Sequence, residues 1–123
     1  MPDRKRVEDF IVTVVSGQHV EAIEQFYHEN ASMQENLKEP RRGRALLMEH
    51  EANALARLKH MHTHPNPPFA VDGDHVAVNW TFDATAPDGV TRRLNEIAFQ
   101  RWQGDRIIEE RFFYDTASAW KTV

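Results

Sequence analysis

The chain has no cysteine among its 123 residues, so a disulfide framework and a thiolate metal site are both excluded. Basic charge is not in excess either: 15 lysines and arginines stand against 19 aspartates and glutamates, a formal net charge of -4. A nucleic-acid surface needs a basic stripe to neutralise phosphates. Arg41, Arg42 and Arg44 form only a local cluster, read as a solvated loop. No apolar run approaches the length of a membrane span, and the start, Met1-Pro-Asp-Arg-Lys-Arg6, lacks the apolar centre of a secretory signal. The expected location is therefore the cytoplasm, away from membranes. Repeats, low-complexity tracts and interdomain linkers are missing as well. What is there is an ordinary globular mixture, 41% hydrophobic and 28% charged, which neither a disordered nor a fibrous chain has. Residues 1–123 are expected to form one domain, long enough to bury a core. A chain this short that also holds a sizeable cavity gains from a second copy, so a homodimer is the expected assembly.

Val7, Phe10, Ile11, Val14 and Val15 recur at helical spacing until Gly17, which predicts a first helix over residues ~3–16. Val20, Ile23, Phe26 and Tyr27 predict a shorter second helix broken at Asn30. Ala31 to Asn36 reads as a short strand and Pro40 to Gly43 as a loop. Ala45 to Leu58, rich in good helix formers, is the longest helix. Its expected inward face is Leu47, His50 or Glu51, Ala54, Leu55 and Leu58, with Arg44, Glu49 and Arg57 toward water.

The period then changes. Lys59 to Thr63 and Phe69 to Val71 read as one strand broken by Pro65-Asn-Pro-Pro68, since proline cannot donate to a central ladder. Asp72-Gly73-Asp74 is a hairpin turn. Val76, Val78, Trp80 and Phe82 alternate with Ala77, Asn79, Thr81 and Asp83, which is strand periodicity. After Pro87-Asp88-Gly89 a long strand runs from Val90 to Trp102, and beyond Gln103-Gly104-Asp105 a last one runs from Arg106 to Asp115. Two helices, a strand and a third helix followed by an antiparallel meander place the chain in the α+β class.

With Ala31-Ser-Met-Gln-Glu35, Gly43-Arg-Ala-Leu-Leu47, Arg101-Trp-Gln-Gly104 and the closing Arg106-Ile-Ile-Glu-Glu-Arg-Phe-Phe-Tyr-Asp115, this layout resembles the nuclear transport factor 2-like superfamily. Within it, the resemblance is to the SnoaL-like branch of polyketide cyclases and ketosteroid isomerase-like proteins. It implies a cone-shaped fold: three N-terminal helices on a strongly curved, mostly antiparallel sheet that wraps a pocket, with dimers commonly formed through the outer sheet surface. It implies less about the reaction, because one scaffold hosts many functions. Ketosteroid isomerase uses an aspartate base and an oxyanion hole of tyrosine and protonated aspartate. By this resemblance its tyrosine falls at Phe10, its base at Glu35 and its protonated aspartate near Ala98, two residues from Glu96. One of three positions matches, so steroid isomerisation itself is not expected.

Glu35 is the first candidate for a general base. Against apolar walls a carboxylate loses hydration and its pKa rises toward working pH, which suits proton abstraction beside a carbonyl. The alternative is a surface glutamate bonded to the Arg41 to Arg44 loop. Glu96 shares one strand face with Leu94, Ala98, Gln100 and Trp102. If that face is concave, Glu96 is a second acid in the pocket; the alternative is an ion pair with Arg92 or Arg111. His50, near the inner face of the long helix, is a candidate proton shuttle, or else a boundary histidine. His60, His62 and His64 alternate and share a face. The outer two sit ~13 Å apart at ~3.3 Å per residue, too far to share one ion at ~2 Å, so at most two neighbours with Glu35 or His50 could hold a metal; no other ligand motif accompanies them, and a solvated or dimer-edge face without metal is the expectation. Phe10, Trp80, Trp102 and Tyr114 are the candidate ligand contacts, with Phe112 and Phe113 as further wall aromatics and Tyr27 as another source of a hydroxyl. Arg111 and Asp115 resemble part of the acid-arginine-acid set of limonene-epoxide-hydrolase-like members, with one acid missing. The expected function is a cofactor-independent isomerase, cyclase or lyase that moves protons on a small hydrophobic oxygenated molecule. A non-catalytic binding protein and a dimeric interaction module of the same fold are the alternatives.

Overall fold

A computed structural model describes all residues, 1–123. Asp3 starts α1 (Arg4–Val15) by accepting the Lys5 backbone N–H at 3.0 Å, the bond that satisfies one of the free donors at a helix start. Val7, Phe10 and Val14 form its buried stripe. The helix gives way at Gly17, whose φ of +92° is open to glycine at little steric cost. α2 (His19–Phe26) buries His19, Ala22, Ile23 and Phe26. Its end corrects the break expected at Asn30, because Tyr27 is already extended and opens β1 (Tyr27–Glu35). Pairing of Tyr27 with Ile107 of the last long strand decides this boundary, and a tertiary partner overrides local propensity.

The expected loop after β1 contains a two-residue strand, β2 (Arg41–Arg42), antiparallel to β1. Nor is the arginine cluster wholly solvated, Arg42 alone being exposed. Arg44 donates to the Tyr27 carbonyl at 3.2 Å, and Arg41 is bound to Glu35. α3 (Arg44–Ala56) follows Gly43, whose φ is +97°. It buries only Leu47, so its inward face is narrower than expected: Glu51, Ala54 and Leu55 are half-buried and His50 is exposed.

β3 (His60–Asp72), β4 (His75–Thr85), β5 (Thr91–Gln103) and β6 (Arg106–Phe113) make the meander, and the sheet order is β2-β1-β6-β5-β4-β3. β1 runs parallel to β6 and the other pairs are antiparallel. β3 is continuous, against the expected break. It lies at the sheet edge, and its register shifts between Asn66 and Ala70, so its prolines sit where the ladder is already irregular. A short β7 (Lys121–Thr122), absent from the sequence reading, pairs with Arg92 and Arg93 of β5. The architecture is α+β, three helices on one face of a mixed, mostly antiparallel sheet. Phe10 is its hub: the ring meets Phe26, Tyr27, Trp80 and Trp102 edge-on, with centroids 5.5 to 6.3 Å apart, the geometry favoured by aromatic quadrupoles. No helix is long and apolar enough to cross a membrane.

Candidate functional site

Strand parity decides what reaches the space between helices and sheet. On β5, Leu94, Glu96, Ala98, Gln100 and Trp102 are buried while Asn95, Ile97, Phe99 and Arg101 are exposed. The first set is thus the helix-facing one. On β6 the parity switches. Trp102 pairs with Ile107 but Arg101 pairs with Glu109, leaving Ile108 as the extra residue of a bulge. A single insertion moves every later side chain to the opposite face. Ile107 points inward before it, and Glu110 and Phe112 point inward after it.

These faces, with α1, α2 and α3, enclose a cavity of about 220 Å³. Its walls are largely apolar, Phe10, Ile23, Met33, Trp80, Phe82 and Phe112 among them, and Trp120 of the C-terminal turn stands at its edge. An engineered apolar cavity of ~150 Å³ holds benzene, so this one has room for a ring with substituents. Four carboxyls line it: Glu35, Glu51, Glu96 and Glu110.

Glu35, at the end of β1, is one-third exposed. One oxygen accepts from Arg41 Nη1 at 3.0 Å and the other from the Tyr114 hydroxyl at 3.2 Å. The two readings weighed for Glu35 are not exclusive: it lines the cavity and is also paired with Arg41 of the following loop. Burial, then Glu35, raises the Tyr114 phenol above its ordinary value. Glu96 is 6% exposed and has neither of the ion pairs weighed for it. Arg111 instead donates to the Asn36 carbonyl at 2.9 Å on the other side of β6, over the Phe113 ring, and Asp115 caps its own turn. No limonene-epoxide-hydrolase-like set is assembled. With no hydrogen bond to its carboxyl, Glu96 is pushed up to about 8 by burial, and then by Glu110, Glu35 and Glu51.

Glu110 was not singled out by sequence. It is 3% exposed, accepts from the Tyr27 hydroxyl on one oxygen and from Gln100 Nε2 at 2.7 Å on the other. Gln100 in turn accepts from Trp102 Nε1 at 3.0 Å. Burial raises Glu110 to about 7, held back by those two donors, and drives the Tyr27 phenol well above its ordinary value. A second polar set was missed as well: His19 Nδ1 lies 3.3 Å from Glu51 and Nε2 lies 2.9 Å from Thr63 Oγ1. The available signals were weak ones, a polar Gln100 on the same β5 face as Glu96 and a histidine on the buried face of α2.

Of the remaining candidates, Phe10 and Trp80 line the cavity and His50 sits on its exposed rim. Trp102 does not line it: at 1% exposure it lies in the core against Phe10, with its indole N–H spent on Gln100. Tyr114 reaches the site through Glu35 and is not itself a wall. Tyr27 lines the cavity with its hydroxyl committed to Glu110. Ala98 is fully buried. His60, His62 and His64 share one face, where His64 Nε2 bonds Asp83 at 2.9 Å. Held by Arg93 and His64, the Asp83 carboxyl falls to about 2 despite its burial.

A family model described as a SnoaL-like domain matches residues 7–110. No curated protein matches the chain. Among solved structures, one is SalBIII, an epoxide hydrolase/cyclase-like enzyme with a role in pyran ring formation in salinomycin; it is 21% identical, with 94% of this chain and 92% of that one covered and a TM-score of 0.77. TerC, co-crystallised with polyporic acid, is 19% identical, with coverages of 92% and 91% and a TM-score of 0.75. A protein of ketosteroid isomerase-like fold from Catenulispora acidiphila, in complex with trimethylamine, is 15% identical, with coverages of 94% and 89% and a TM-score of 0.76. At such identities the likeness is one of fold.

Proposed function

The chain belongs to the SnoaL-like domain family, and from that premise we propose that it is a cofactor-independent enzyme of the isomerase, cyclase or lyase type, acting by proton transfer on a small hydrophobic oxygenated molecule in the cavity. The observation that carries this reading is Glu96: a buried carboxyl, without a partner in the chain, raised to about 8 on a cavity that Glu35 also lines. A neutral carboxylic acid at pH 7 donates a hydrogen bond, and placed beside a substrate carbonyl it stabilises the oxygen as charge develops there. Glu35 is the base. It takes a proton from the carbon next to the carbonyl, the C–H electron pair becomes the enol double bond, and the carbonyl oxygen takes the hydrogen bond or the proton of Glu96. Return of the proton at another carbon isomerises the substrate, attack of the enol carbon on a second carbonyl closes a ring, and expulsion of a β-substituent is a lyase reaction.

Arg41 and Tyr114 fix the Glu35 carboxyl by two different oxygens, which orients it as a base must be oriented. His50, exposed on the rim, is placed to pass protons between the cavity and solvent, which the one-third exposed Glu35 also reaches. A ring-sized ligand would meet Phe10 and Trp80. Ligands in the TerC and Catenulispora structures support small-molecule binding in this fold. A purely sequestering protein is favoured by one feature, the Arg41 partner of Glu35, and disfavoured by unpaired Glu96. Ile97, Phe99 and Phe113 stay exposed on the outer sheet face, and we assign that face to a homodimer contact.

The test needs no known product. Mono- and bicyclic ketones and enones are incubated in D2O and loss of the α-proton signal is followed by NMR. The native protein is expected to accelerate exchange and Glu35→Gln to abolish the acceleration; an accelerated ketone that Glu35→Gln exchanges equally fast removes the proposal.

A further inference from the structure

The cavity carries an imbalance of charge that enolisation does not call for: four carboxyls line it against one arginine. Three of the four have partners. Glu35 has Arg41, Glu51 has His19, and Glu110 has Tyr27 and Gln100. Glu96 has none, is 94% buried by its 6% exposure, and faces the cavity. Its carboxyl oxygens are not sealed in the core but open to the cavity, where a ligand can meet them. Its cross-strand neighbour is Trp80, and Phe10, Phe82 and Phe112 continue the wall. Ring faces and a carboxylate both attract a cation and repel an anion.

We propose that this cavity binds small hydrophobic ammonium compounds, with the cationic nitrogen held between the Glu96 carboxylate and the aromatic wall, and that these compete there with neutral ligands. The proposal shares the cavity with the enolisation reading and does not depend on it. Its signature is the sign of the pH dependence. Charged or titratable groups facing Glu96 are Glu110 from β6, Glu35 from β1, Glu51 from α3 and, elsewhere on the cavity, Arg41, His19, His50 and Tyr27. An ammonium ion needs Glu96 ionised and so expels its proton below about pH 8; a neutral oxygenated ligand needs Glu96 protonated and is lost above it.

Phenyltrimethylammonium keeps its charge at every pH and is the probe; benzyl alcohol is the neutral comparator. Calorimetry in phosphate and in Tris at pH 7 is expected to show release of about one proton per cation bound, and affinity should rise by up to about tenfold per pH unit and level off above about pH 8. Benzyl alcohol is expected to show the opposite trend and to be displaced by the cation. Glu96→Gln keeps the shape, and should lose the proton release and weaken the cation at least about tenfold at pH 9 while still binding benzyl alcohol. Cation binding without proton release, equal cation affinity in Glu96→Gln, or no cation binding at millimolar concentration overturns the proposal. Unchanged deuterium exchange in Glu35→Gln is the separate failure of the enolisation reading.

Discussion

Replacing Glu96 by Gln should stabilise the protein increasingly as pH rises from about 4.5 to about 8. In the unfolded chain this carboxyl titrates near its ordinary 4.5, and in the folded protein near 8. Between those values the folded state holds a proton that the unfolded state has lost. The stability this supplies is complete below about pH 4.5 and falls away as pH rises to about 8. The gap between 4.5 and about 8 corresponds to an upper limit of about 5 kcal/mol; relaxation and water in the cavity reduce it, and ~3 kcal/mol is the expected size. Glutamine has nearly the same volume and no charge to bury. Urea unfolding of both proteins from pH 4.5 to pH 9 is the assay. The two free energies should agree to within ~1 kcal/mol at pH 4.5, diverge through neutrality in favour of the variant, and run parallel above about pH 8. Glu110, raised to about 7 by the same burial, titrates in both proteins, and because its charge helps to hold Glu96 up, part of the divergence follows the ionisation of Glu110. Parallel curves throughout, or a variant less stable than the native protein at pH 9, would refute the assignment of Glu96 as an uncompensated buried acid.

Tyr27→Phe removes one of the two donors on Glu110 and should cost ~1 to 3 kcal/mol. The loss should be larger at pH 9 than at pH 5, since that donor favours the ionised carboxyl; equal losses at both pH values in urea unfolding would contradict the network. For the outer-face contact through Ile97, Phe99 and Phe113, sedimentation is expected to show a concentration-dependent dimer that Phe99→Lys dissociates, and a concentration-independent monomer would rule it out.

Helix and strand identities were legible locally. The stripe Val7, Phe10 and Val14 on α1 and the alternation Leu94 to Trp102 on β5 each state a period that only one kind of element can satisfy against a core. The same alternation put Glu96 on one face with Leu94, Ala98 and Trp102, and the structure decided that this face is the buried one. Glu35 was legible by position and by resemblance, and its bond to the Arg41 loop was one of the two readings weighed; its Tyr114 partner was not legible, because Tyr114 is far along the chain. His50 and Trp102 show the limits from two sides. A rotation of one residue around α3 takes a side chain from wall to rim, and a buried face contains core as well as cavity.

What the amino-acid order determined by itself is the period of each element, its turns and the class they compose, because those follow from steric and solvation rules acting within a few residues. What the tertiary structure alone decided is which carboxyls meet. The bulge at Ile108 turns Glu110 inward, the parallel pairing of β1 with β6 brings Tyr27 to Glu110, and packing of α2 and α3 puts His19 beside Glu51. Each depends on the register of one segment against a distant one, and a shift of a single residue in that register moves a charge from solvent to cavity.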